Sequence, residues 1–282
     1  MPLLIATLSR WTARIVAVGC LLAAVGAQAQ APLLKWTLAA EYPRDASGFT
    51  QGLVWHEGRL FHSDGQYGAS RVTEAALKTG KVLRSTPLPS HHFGEGLALH
   101  AGALWQLTWR EGVLHRYDLS LQPTGTLRYG GEGWGLTSDG TGLIISNGST
   151  ALTWIDPLKP AVLRHVEVRD GKEPISRLNE LEWVDGVIYA NVWMTDRIAR
   201  IDAQTGQVTG WLDLSTLKQK AGITPEQEAQ GAVLNGIAWR ADQQQLLVTG
   251  KYWPKIYALK LLAAPAAEPA SATRSRPASL AR

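Results

Sequence analysis

The sequence predicts an all-β fold, a five-bladed β-propeller with one short helical insertion. Three observations carry that expectation. Short tetrads recur five times along the body, each is followed by a pair of apolar strand-like runs, and the spacing is that of a four-stranded blade rather than of a helical repeat. The tetrads are Thr50-Gln51-Gly52-Leu53, Gly94-Glu95-Gly96-Leu97, Gly133-Trp134-Gly135-Leu136, Asn179-Glu180-Leu181-Glu182 and Asn235-Gly236-Ile237-Ala238, at intervals of 44, 39, 46 and 56 residues.

Taken in chain order, residues 35–40 precede the first repeat and are expected to pair with the last blade, closing the ring. Second strands are expected over 102–108, 142–146, 186–192 and 245–249, where β-branched, leucine and aromatic residues follow turn residues and no helix cap is present. Third strands follow at 114–119, 152–156, 198–202 and 256–261, and Thr79-Gly80 and Thr205-Gly206 supply turns into fourth strands. Residues 214–229 break the pattern. They read as a short helix with Ser215 as its cap and Pro225 limiting its length, which accounts for the longest interval.

The ends have a different character. Arg10 and Arg14 precede an apolar run over 15–27 that closes on Ala27-Gln28-Ala29, so 1–29 reads as a secretory signal whose removal leaves Gln30 first in a periplasmic or secreted protein without a stable membrane span. Val18-Gly19-Cys20 offers the alternative of a lipoprotein anchored at Cys20, although the apolar run continues through 21–25. Residues 263–282 are Ala, Pro, Ser and Arg with little to bury and are expected to form a disordered tail, leaving 30–262 as one propeller domain.

Composition narrows the chemistry. The chain has 282 residues, 45% of them hydrophobic, with 28 glycines and 12 tryptophans, which suits a packed globular domain. One cysteine permits neither an internal disulfide nor a Cys-rich zinc site. The formal charge of +4 resides in arginines of the two ends, so the body is near neutral and nothing argues for a nucleic-acid partner. No Gly-x-Ser-x-Gly elbow, His-Glu-x-x-His pair or phosphate-binding loop is present. His91-His92 has no partner at ligand spacing and reads as surface loop.

In a propeller, equivalent positions of the innermost strands gather at one mouth of the central channel. The tetrads thus bring together Gln51, Glu95, Trp134, Glu180 and Gly236, and the ends of the second strands bring Asp64, Trp109, Asn147, Trp193 and Lys251. A purely structural repeat favours one residue type per column. These columns mix carboxylates, amides, an ammonium and indoles, which points to a binding site, although tryptophan is also common core filler.

The quoted tetrads, with Phe49-Thr50-Gln51-Gly52-Leu53, Phe93-Gly94-Glu95-Gly96, Gln106-Leu107-Thr108-Trp109, Glu132-Gly133-Trp134-Gly135-Leu136, Leu178-Asn179-Glu180, Ala190-Asn191-Val192-Trp193, Leu234-Asn235-Gly236 and Thr249-Gly250-Lys251, resemble the plant and bacterial type of glutaminyl-peptide cyclotransferase. The resemblance runs from about Phe49 to Leu261 and touches every repeat in order. It implies a five-bladed propeller that converts the N-terminal glutaminyl residue of a peptide or protein to pyroglutamate with release of ammonia. By motif it implies Glu95 as the catalytic acid and base, Phe49, Gln51, Phe93, Trp109, Trp134, Asn179, Trp193 and Lys251 as substrate-binding residues, and Glu180 as a support behind them. It implies no metal or other cofactor for catalysis, and a structural calcium ion in the channel whose ligands the sequence does not place. Asn147 and Asp64 depart from the family's usual aspartate and threonine. Position in the repeat does not by itself choose between Glu95 and Glu180. The indole N–H groups are expected to serve as donors in the site, and Glu132 and Glu182 to accept backbone N–H groups of glycine-rich turns. The competing class is a non-catalytic periplasmic propeller that binds peptides or glycans.

Overall fold

The computed structural model of the chain describes residues 30–159 and 161–262. The expected signal at 1–29 and tail at 263–282 lie outside the described residues. After a first strand β1 (Trp36–Pro43), the chain builds blade 1 from β2 (Thr50–His56), β3 (Arg59–Asp64), β4 (Arg71–Ala75) and β5 (Val82–Pro87). Blade 2 is β6 (Gly94–His100), β7 (Ala103–Thr108), β8 (Val113–Tyr117) and β9 (Pro123–Arg128). Blade 3 is β10 (Leu136–Ser138), β11 (Leu143–Ile145), β12 (Ala151–Asp156) and β13 (Ala161–Glu167). A two-residue hairpin, β14 (Arg169–Asp170) and β15 (Glu173–Pro174), precedes blade 4, which is β16 (Leu178–Val184), β17 (Val187–Val192), β18 (Arg197–Asp202) and β19 (Val208–Asp213). Two helices, α1 (Ser215–Lys220) and α2 (Pro225–Ala229), lead to β20 (Leu234–Arg240), β21 (Gln245–Gly250) and β22 (Lys255–Leu261).

Each blade is a four-stranded antiparallel sheet, and the fifth takes β1 as its outer strand, in the order β1-β22-β21-β20. Trp36 lies opposite Leu261 and Pro43 opposite Lys255, so the closing strand runs three residues beyond the expected 35–40. The innermost strands β2, β6, β10, β16 and β20 touch in that order, and β20 returns to β2. The fold is therefore the five-bladed propeller that the repeats imply. Apolar clusters fill the wedges between neighbouring sheets, among them Ile144, Leu152, Leu178 and Ile188 between blades 3 and 4, and Leu53, Leu60, Leu247 and Ala258 between blades 1 and 5.

The recurring tetrad has a definite structural cause. In β2 and β6 the pairing register shifts within the tetrad, between Thr50 and Gly52 and between Gly94 and Leu97; in β16 and β20 it shifts between Leu178 and Leu181 and between Leu234 and Ile237, so the fourth and fifth repeats start at Leu178 and Leu234, one residue before the expected tetrads. Each shift is a β-bulge, which frees residues from the ladder and re-aims their side chains. The glycines of the tetrads sit where innermost strands crowd each other: a Cβ on Gly96 would strike the backbone of Gly135 and Leu136 in the next blade, and one on Gly135 the carbonyl of Asn179 in the blade after that.

The ring is latched by a buried cation. Arg44, just after β1, donates to the carbonyls of Gly250 (2.8 Å), Trp253 (3.1 Å) and Gly48 (3.0 Å) and to the hydroxyl of Thr50, tying blade 5 to blade 1.

The insertion differs from the single helix expected over 214–229. Ser215 is the first residue of α1, not its cap; its hydroxyl donates to Asp213 (2.7 Å), and Leu214 precedes the helix without a side-chain cap. Pro225 opens α2 instead of limiting α1, because the missing N–H of proline costs nothing in a first turn. Thr224 caps α2 in a reciprocal capping box with Gln227.

Candidate active site

One mouth of the channel opens into a cavity of about 480 Å³. Phe49, Gln51, Phe93, Glu95, Trp109, Trp134, Asn179, Trp193 and Lys251 all line it, so residues spread over about 200 positions of sequence meet in one place. Gln51, Glu95 and Asn179 come from the bulges of β2, β6 and β16, and Trp109, Trp193 and Lys251 directly follow β7, β17 and β21.

Glu95 is the acidic group of the floor. It is 5% exposed, and its side chain accepts one hydrogen bond among the described residues, from Gln51 Nε2 at 3.0 Å. Burial pushes its carboxyl well above the usual range, Lys251 opposes that shift, and the carboxylates of Glu111 and Glu132 add to it. Lys251 is equally buried, and burial pulls its ammonium down to about 8 against the opposing pull of Glu95. The Lys251 Nζ stands 4.5 Å from the centre of the Phe49 ring. Gln51 is held in turn: Asn235 Nδ2 donates to its Oε1 at 3.0 Å, which leaves the amide nitrogen facing Glu95. Asn179 Oδ1 is a buried acceptor without a partner in the cavity wall.

The walls are aromatic. Phe93 packs edge-on against Phe49 (6.1 Å between centroids) and Trp109 (5.6 Å), and Trp134 against Trp193 (5.6 Å). Tyr67 and Tyr252 extend this surface outward, at 5.3 Å from Phe93 and 5.1 Å from Phe49. From the insertion, residues Glu228, Ala229, Gln230 and Gly231 complete the rim, and Lys218 pins Glu228 (3.0 Å) to Asp196 of blade 4 (2.7 Å).

Several column residues lie elsewhere, because the expected columns mix two registers: Asn179 and Asn235, not Glu180 and Gly236, stand level with Gln51 and Glu95, and Asp64 stands level with Thr108 rather than Trp109, so that the displaced residues point to the other side of their strands. Glu180 is fully buried below the cavity and accepts the backbone N–H groups of Leu53 (3.2 Å) and Ile237 (2.8 Å), joining blades 4, 1 and 5. Asp64 turns away from the mouth to Arg71 (3.1 Å) and Arg44 (3.7 Å). Asn147 faces a neighbouring cavity of about 300 Å³ between blades 2 and 3, and Gly236 has no side chain to contribute. The indoles of Trp109 and Trp134 do not offer their N–H groups to the cavity, because both donate to Glu132. Glu132 therefore does not cap a glycine-rich turn as expected, whereas Glu182 does accept a backbone N–H, that of Trp239 (2.6 Å). His91 is exposed as expected, but His92 is buried, its Nδ1 meeting the Nε2 of half-buried His115 at 2.8 Å. Asn235, Glu111, Tyr67, Tyr252 and the cavity-lining Met194 are not among the residues expected at the site. Asn235 opens the fifth tetrad and carried a signal; the others sit in loops whose sequences mark no role.

Among the described residues no three His, Cys, Asp or Glu side chains are placed to hold a metal ion. Calcium takes six to eight oxygens. The side chains of the channel do not make that set: Glu180 gives both oxygens to backbone N–H groups, and the unpartnered oxygens are the single amide oxygens of Asn179 and Asn235.

A family model described as glutamine cyclotransferase matches residues 12–261. The chain belongs to that family. The glutaminyl-peptide cyclotransferase of Arabidopsis thaliana is 40% identical to it over 228 residues, 79% of this chain and 70% of that protein. The crystal structure of Myxococcus xanthus glutaminyl cyclase superposes with a TM-score of 0.75 at 36% identity, covering 82% of this chain and 98% of that one. Membership places the chain among enzymes. None of its described helices is long and apolar enough to cross a membrane.

Proposed function

We propose that the chain is a glutaminyl-peptide cyclotransferase that closes the N-terminal glutamine of peptides and proteins into pyroglutamate, with Glu95 as its acid and base. The observation that carries this reading is a buried carboxylate, held by one amide, at the floor of an aromatic cavity large enough for a peptide end. The reaction joins the α-nitrogen of the substrate to its own side-chain carbonyl carbon and expels the amide nitrogen as ammonia. Both reacting groups belong to one residue, so rate is gained by holding the near-attack conformer and by moving protons.

Glu95 takes the proton that the α-nitrogen loses as the new C–N bond forms. It returns that proton to the amide nitrogen as the old C–N bond breaks, and it ends the cycle unchanged. Its raised affinity for a proton suits both halves of this exchange near neutral pH. Gln51 fixes the carboxylate, and its second amide hydrogen is free to reach the substrate. The orphan Oδ1 of Asn179 accepts an N–H of the substrate carboxamide, and Lys251 faces the oxyanion of the tetrahedral intermediate. Phe49, Phe93, Trp109, Trp134 and Trp193 enclose the glutaminyl stem and keep water from the reacting atoms.

The test is incubation of the purified protein with a Gln-initiated peptide. Ammonia release with loss of one ammonia mass from the peptide supports the proposal; an unaltered peptide overturns it. Residues 30–262 are proposed to form the whole catalytic domain, exported by the 1–29 signal.

A further inference from the structure

The clearest feature that the mechanism leaves unused is Glu132, in the loop between β9 and β10. Its Oε2 accepts two indole N–H groups, from Trp109 of blade 2 at 3.0 Å and from Trp134 of blade 3 at 3.2 Å. Its Oε1 accepts Arg110 Nε at 3.1 Å, and the Arg110 guanidinium lies 3.7 Å from the centre of the Trp109 ring. One carboxylate thus spans a blade junction and holds two walls of the cavity, while the guanidinium presses one of them from outside. On the far side of Trp134, Gly148 leaves no slack, since a Cβ there would lie 2.6–2.8 Å from the ring.

We propose that Glu132 is a positioning residue for the cyclisation: it fixes the rotation of the Trp109 and Trp134 indoles, so that they present ring surface to the substrate and hold its glutaminyl stem in the reactive conformer. The inference deepens the cyclase reading and rests on it. An indole released from this clamp keeps its apolar area but gains rotational freedom and an unpaired N–H, and the fraction of bound substrate in reactive geometry falls. Misplacement of reacting groups on the ångström scale costs on the order of 10²-fold. The loss therefore belongs in kcat more than in KM.

Three variants separate the clamp from charge and from general stability. Glu132→Ala removes the acceptors, Glu132→Met removes them while keeping the volume, and Glu132→Gln keeps one oxygen able to accept both indoles. Turnover of a Gln-initiated peptide is measured well below each variant's unfolding temperature, beside ¹H–¹⁵N spectra of protein labelled at its tryptophan indoles. Expected are a kcat reduced roughly 10- to 100-fold in the Ala and Met variants, a Gln variant within a few-fold of the parent, and two indole N–H resonances displaced in Ala and Met alone. Unchanged kcat in the Met variant overturns the proposal, as does a Gln variant as impaired as Met with both resonances in place. If the parent protein has no turnover, the cyclase reading fails by itself, while the indole resonances still report whether the clamp exists.

Discussion

Glu95→Gln is the perturbation that bears hardest on the proposed chemistry. The amide matches the carboxylate in volume and still offers Gln51 Nε2 an acceptor at the present 3.0 Å, so the fold is expected to persist. What disappears is the proton carrier. General acid–base catalysis contributes roughly 10²–10⁴-fold, and since one group serves both proton transfers here, the expected loss in kcat lies at the upper end of that range. A second consequence follows from Lys251. Burial lowers its ammonium to about 8, and the opposing influence is the Glu95 charge. Without that charge Lys251 titrates lower still, and whatever turnover remains must lose its alkaline limb at a lower pH than the parent. On the acid side the parent loses activity as pH falls through the raised pKa of Glu95, and this limb vanishes in the variant. The assay is coupled ammonia detection across pH with mass spectrometry of the peptide. A folded Glu95→Gln protein with turnover within tenfold of the parent refutes the assignment.

Other consequences are equally concrete. Gly148 has φ +79° and lies under the Trp134 ring, so Gly148→Ala strains the backbone and pushes the indole into the cavity; kcat/KM for a Gln-peptide is expected to fall about tenfold, as a displacement of substrate-contacting groups does. Arg44→Met leaves three carbonyls and Asp64 without their buried cation and is expected to destabilise by about 3–5 kcal/mol in urea unfolding. His62 is buried beside Arg44 and Arg71, and burial followed by those charges lowers its pKa to about 3. The unfolded chain takes up its proton first, at about 6.5, so stability from this group is complete above that pH and declines as pH falls toward 3. Comparison of His62→Gln with the parent by thermal unfolding between pH 7 and pH 4 should show a flatter acid decline in the variant.

Much of this was legible in the residues. Intervals of 39 to 56 residues between tetrads fixed the number of blades, because each blade must return the chain to the channel after four short strands. Resemblance at Phe49–Leu53, Phe93–Gly96 and Thr249–Lys251 named side chains that all line one cavity. The insertion was read less well. Pro225 and Thr224 start a helix, and whether a proline ends one helix or opens the next depends on where the preceding chain has already turned.

Repeat position, periodicity and motif are properties of the chain taken alone, and they determined the ring, its closure by the first strand and the residue types at its mouth. Which residues face the cavity was decided by the pairing register inside each blade, and what the others do by partners from neighbouring blades. Glu95 and Glu180 share a column of the tetrads as spaced in the sequence, but strand pairing sets Asn179 level with Glu95 and Glu180 level with Gly96; there Glu180 is taken by backbone N–H groups of blades 1 and 5, while Glu95 meets a single amide. Asp64 answers to two arginines, and Glu132 to two indoles. A carboxylate turns toward whichever donors the packed neighbours leave unsatisfied, and that inventory exists only once the blades have closed against one another.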